Sequence, residues 1–138
     1  MEISEYREPE RVEIIALWKR CELVAPQNDP NKDIDRKLKV NPELFLVGKL
    51  NGNIIASVMG GYEGHRGWVN YLAVDPDCRR LGYGRLLMGE IERRLRLLGC
   101  PKINLQVRET NVSVLKFYEA IGFAKEPIVS LGKRLEYD

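Results

Sequence analysis

One run near the middle of the chain concentrates cationic and glycine residues: Leu72-Ala73-Val74-Asp75-Pro76-Asp77-Cys78-Arg79-Arg80-Leu81-Gly82-Tyr83-Gly84-Arg85-Leu86-Leu87. An apolar strand leads into a turn, then a loop with two glycines one residue apart, then a helical pattern. The first N–H groups of a helix have no internal partners, and the helix dipole favours negative charge there. Gly82 and Gly84 carry no Cβ to keep the backbone from an anion. Arg79, Arg80 and Arg85 add positive charge. This chemistry suits a phosphate or pyrophosphate. A Walker A loop would need GxxxxGK[ST], which is absent. A dinucleotide fingerprint would need a third glycine where Leu87 stands.

Other chemistry is sparse. The single histidine, His65, lies in a glycine-rich stretch and reads as an exposed loop residue. The three cysteines, Cys21, Cys78 and Cys100, are odd in number and form no CxxC, so neither a disulfide framework nor a metal site is expected.

The elements that must position the loop follow from periodicity. Residues 3–7 read as a first strand. Ile14, Leu17, Trp18 and Cys21 share one stripe of a helix that Pro9 opens and Pro26 ends. Asp29 and Pro30 fit the N-cap and first position of a second helix, with Ile34 and Leu38 facing inward. Residues 44–50 and 54–59 are apolar runs joined by Asn51-Gly52, a strong signal for a tight hairpin. Residues 67–74 extend the meander. A helix over 84–98, with Leu87, Ile91, Leu95 and Leu98 on one stripe, precedes an alternating strand over 102–107. A helix over 111–121 follows, with Asn111 as N-cap and Gly99 and Gly122 closing the two helices. Strand, helix, strand in this order implies a parallel pair. Residues 123–135 read as β-like, interrupted by Pro127. The expected class is α+β, or mixed α/β: a mostly antiparallel sheet of six to seven strands covered by about four helices.

Composition bounds the function. The chain has 138 residues, 44% hydrophobic and 30% charged, which fits one packed domain over 1–138. Twenty-two Lys+Arg against 20 Asp+Glu leaves a net charge of +2, too little for a broad nucleic-acid footprint. No apolar run approaches the roughly 20 residues of a membrane span, so no membrane partner is expected. The N-terminal residues carry neither a basic nor an apolar leader segment, so a cytoplasmic location is expected.

Arg79-Arg80-Leu81-Gly82-Tyr83-Gly84 resembles the (Q/R)xxGx(G/A) pyrophosphate loop of the GNAT superfamily of N-acetyltransferases. Val74-Asp75-Pro76 looks like that family's strand exit. Asn111 with Phe117-Tyr118-Glu119-Ala120-Ile121-Gly122-Phe123 is similar to its Asn/Tyr helix. The match spans about residues 44–124. The resemblance implies a GNAT-like fold and acetyl-CoA as acyl donor, with no metal. It places the backbone of Leu72, Ala73 and Val74 against the pantetheine arm, and Arg79, Arg80, Leu81, Gly82, Tyr83, Gly84 and Arg85 around the pyrophosphate. Asn111 would bond the cofactor arm or serve only as a cap.

Asn111, Val114, Leu115 and Tyr118 share a helix face by spacing. In the resemblance that face looks onto the thioester sulfur, which makes Tyr118 the general acid. No base is evident, because Gln106 stands where some relatives carry a carboxylate. Glu109, Glu63 or a water chain would have to serve. The acceptor would be a primary amine of a small molecule or a peptide, and Asn28, Asp29 and Asp33 could form an acidic rim for it. The short tail leaves the acceptor wall open or completed by a second subunit, as in a homodimer. The alternative is a catalytically idle acyl-CoA-binding or sensory domain of the same fold.

Overall fold

A computed structural model describes residues 1–138. By Cα proximity the chain forms two compact units, residues 1–104 with Asp138, and residues 105–137.

The first unit is built on a five-stranded sheet in sequential order: β1 (Glu2–Glu5), β2 (Phe45–Leu50), β3 (Asn53–Tyr62), β4 (Gly67–Val74) and β5 (Ile103–Asn104). β1 to β4 pair antiparallel, and β4 pairs parallel with β5. Asn51 and Gly52 turn the β2–β3 hairpin with φ of 51° and 82°. Both values are positive, as a primed two-residue turn requires.

Three helices cover the sheet. In α1 (Arg11–Arg20), Ile14, Leu17 and Trp18 are fully buried. α2 (Pro30–Lys37) begins at Asp29, whose side chain accepts from Asn31 N at 2.9 Å. α3 (Tyr83–Leu97) buries Leu87, Met88, Ile91 and Leu95.

Met59 packs in one core with Tyr6, Ile14, Trp18, Ile34 and Phe45. Its neighbour Gly60 faces the other way, where an added Cβ would stand 3.0 Å from Ile91 Cδ1. Successive strand residues point to opposite faces, so α1 and α2 lie on one side of the sheet and α3 on the other.

The second unit holds α4 (Val112–Ala120). Gly99 and Gly122, with φ of 84° and 105°, end α3 and α4 as their positions predict.

Several expectations need correction. The sheet has five strands rather than six or seven. The strand expected over 102–107 shrinks to Ile103–Asn104, paired only with Gly67 and Trp68. β4 then bulges and re-aims its remaining edge. Residues 123–135 form no strand. Pro127 has no amide proton to donate, and Ile128, Val129 and Leu131 stand exposed. Leu38 and Leu98 are exposed rather than inward. Each is a C-cap residue, beyond the last full turn of its stripe.

Candidate active site

β4 reaches the loop through an irregularity. Ser57 pairs with Ala73 and Met59 with Asn70, so Val58 faces both Tyr71 and Leu72. That is a β-bulge, and Tyr71 holds φ of 52° within it. From Asn70 to Val74 the strand has a ladder partner only in β3. The other edge of Leu72, Ala73 and Val74 is free of strand pairing, the kind of edge to which an extended ligand can add.

Asp75 folds the turn that follows. Its backbone N–H donates to Ile55 O at 2.7 Å, and its carboxylate accepts from Asp77 N at 3.0 Å and Arg20 Nη2 at 2.8 Å. The Asp77 amide, then Arg20, hold its carboxyl below the usual range. A 3₁₀ turn over Pro76–Cys78 leads to Arg79, whose Nε donates to Val74 O at 3.2 Å. Cys21 Sγ donates to the same oxygen at 3.3 Å, and burial pushes that thiol up.

Arg80 and Gly82 both adopt left-handed backbone, φ 65° and 82°. Gly82 caps α3, and its carbonyl accepts the first bond of the helix, from Leu86 N at 3.1 Å. The N–H groups of Tyr83, Gly84 and Arg85 precede that bond and have no intrahelical acceptor. Gly82 opens onto free space, with nothing within 4 Å of an added Cβ, while Gly84 is buried. Arg79, Arg80, Leu81 and Arg85 are exposed around this helix start. Three guanidinium groups thus share the end of α3 that carries its positive dipole.

In the second unit Asn111 caps α4, its Oδ1 accepting from Val114 N at 3.4 Å. Tyr118 is buried, edge-on to Phe117 at 5.1 Å and to Phe123 at 5.5 Å between ring centroids. Burial alone pushes its phenol up to about 12, further above neutral pH than a free tyrosine. Val114 and Leu115, on the same face, are half-buried. Gln106 donates from Nε2 to Ser130 Oγ.

Within the first unit, the structure joins Val74 directly to Arg79. Within the second, it sets Asn111 and Tyr118 on one helix. Sequence reasoning missed the Arg20–Asp75 ion pair that ties α1 to the loop, and also the β4 bulge. A lone Ser57 in the apolar β3 run was the one available signal for the bulge.

A sequence model of the acetyltransferase (GNAT) family matches residues 11–123. The chain belongs to that family. It is 47% identical over 138 residues, covering 98% of the relative's length, to an acetyltransferase of Yersinia pestis (strain Pestoides F). Among solved structures, this GNAT chain superposes with a TM-score of 0.79 on AAC(6')-Iy, solved in complex with the bisubstrate analogue CoA-S-monomethyl-acetylneamine. Identity there is 18%, with 96% of this chain and 97% of that one covered. The ribosomal-protein-S18-alanine N-acetyltransferase of Escherichia coli gives 0.75 at 22% identity, covering 91% and 78%. The GNAT fold is therefore shared, and the chain is an acetyltransferase.

Proposed function

We propose that this acetyltransferase takes its acetyl group from acetyl-CoA and transfers it directly to the primary amine of a small molecule or peptide. The whole chain would act as a single catalytic domain. The start of α3 carries the reading: three exposed arginines and free helix N–H groups, one turn beyond a strand edge without a ladder partner.

In this reading residues 79–85 hold the pyrophosphate. The backbone of Leu72, Ala73 and Val74 receives the pantetheine amides as an added strand would, and Asn111 bonds the same arm. The amine nitrogen attacks the thioester carbonyl carbon, and a backbone N–H near Val74 steadies the oxyanion. The C–S bond then breaks, and Tyr118 gives its proton to the departing thiolate. The amine loses its own proton to solvent or a nearby carboxylate, since Gln106 cannot take it. No cysteine nucleophile and no metal enters the scheme. The relatives' names span both acceptor classes: neamine in one bisubstrate analogue and a ribosomal-protein alanine in another case.

Two measurements test the reading. Isothermal titration should show binding of acetyl-CoA and CoA but not of an oligonucleotide. A screen of amine acceptors that monitors thiol release should find turnover. Absence of acetyl-CoA binding would remove the proposal. Binding without thiol release across small amines and peptides would favour the idle acyl-CoA-binding domain.

A further inference from the structure

The β4 bulge is held by side chains that no functional role yet accounts for. Ser57, on β3, is fully buried. Its Oγ accepts from Trp18 Nε1 at 2.8 Å and donates to Tyr71 O at 2.9 Å. The order of these bonds is forced. An indole N–H can only donate and a carbonyl can only accept, so the single hydroxyl proton of Ser57 must point at Tyr71 O. The carbonyl it grips belongs to the residue with φ of 52°, a conformation that a bulky side chain adopts only when its surroundings impose it.

The same residue is gripped a second time through its ring. Tyr71 stacks on the Trp18 indole with centroids 3.9 Å apart, and its hydroxyl donates to Asp33 Oδ2 at 2.6 Å. The hydroxyl and the carbonyl of one bulge residue are thus fixed to α2 and β3, with α1 supplying the stacking surface.

We propose that Ser57, Trp18 and Tyr71 are positioning residues for the acyl donor, fixing the bulge that decides which backbone groups of Leu72, Ala73 and Val74 face the unpaired edge of β4. A bulge adds one residue to a strand, and a shift of one residue turns every following group to the opposite side. If the Tyr71 carbonyl were released, β4 could regularise, and the groups presented at its edge would change places. This inference rests on the proposed use of that edge for acetyl-CoA.

The test is acetyl-CoA affinity by titration, at temperatures well below each variant's own melting point. Wild type is measured first: if it binds no acetyl-CoA, the proposed function fails and the positioning role falls with it. If wild type binds, Ser57→Ala should weaken binding about tenfold or more. It should also move the amide resonances of Leu72, Ala73 and Val74 in the free protein. Leu95→Ala, a cavity variant in α3 at the far end from the loop, should lower the melting temperature and leave the affinity unchanged. Unchanged affinity in Ser57→Ala, or an equal loss in Leu95→Ala, would overturn the positioning role. Should Ser57→Ala fail to fold, Tyr71→Phe keeps the ring and the carbonyl bond and removes only the grip of Asp33. Affinity loss of about threefold or more in it supports the role, and wild-type affinity overturns it.

Discussion

A phenol can donate a proton only while it still holds one, and Tyr118 holds its proton at neutral pH, burial having pushed its ionisation further up. Its hydroxyl matters in the scheme only as the C–S bond breaks. Tyr118→Phe should therefore lower kcat by about 10–10⁴-fold with little change in acetyl-CoA affinity. The ring remains to pack on Phe117 and Phe123, so stability should fall by no more than about 1–2 kcal/mol. A packing tyrosine predicts the reverse, so kcat, affinity and melting temperature on this one variant distinguish the two roles. A kcat within about twofold of wild type would transfer the proton donation to water. The cap of α4 and the helix face that Tyr118 shares with Asn111 were legible in the sequence, because seven-residue spacing from an Asn cap fixes a helix face. Tyr71 was not. Nothing in an aromatic residue's type announces left-handed backbone, which the surrounding bonds impose.

At the scale of elements, the loop and α3 depend on Gly82. With φ of 82° it occupies backbone space that β-branched residues avoid, although there is room for a side chain. Gly82→Val should strain the cap by about 1–2 kcal/mol and abolish acetyl-CoA binding, as seen by titration on the folded variant. A folded Gly82→Val protein with wild-type affinity would sink the loop's assignment.

A second element, α2, is anchored by Lys37, whose ammonium donates to Gly60 O on β3. Burial lowers its pKa from 10.5 to about 8. Between those values the unfolded chain binds the extra proton, so stability should rise with pH there, and the penalty should be full below pH 8. Denaturant unfolding at several pH values should show that rise in wild type. Lys37→Met should lack this contribution, and equal slopes in the two proteins would exclude it. The helix caps and the Asn51-Gly52 hairpin were readable because each rests on local chemistry. The placement of Lys37 was not, since it depends on a strand distant in sequence.

At the scale of the whole molecule, the family and the mixed sheet were readable from motifs in order along the chain. The strand count was not. Alternation of apolar and polar residues over 102–107 satisfies a strand locally, but a ladder also needs a partner edge. β4 offers one to β5 only at Gly67 and Trp68 before its bulge. In the tail Pro127 interrupts the segment and cannot donate to a ladder, and the apolar side chains of Ile128, Val129 and Leu131 are exposed.

The sequential order of the strands also bears on how fast and in what sequence the sheet assembles. β2, β3 and β4 are joined by residues 51–52 and 63–66 alone, so their pairing closes very small loops. β1 meets β2 only across two intervening helices, and β5 meets β4 only after α3 has formed. Loop-closure entropy rises with the length of chain enclosed, so the three-stranded meander should form first in refolding and open last in the native state. Pulse-labelled hydrogen exchange during refolding should show the amides of Leu46, Val58 and Trp68, which face their partners within the meander, protected before that of Asn104, which faces β4 from β5. If Asn104 gained protection first, closure across α3 would lead instead.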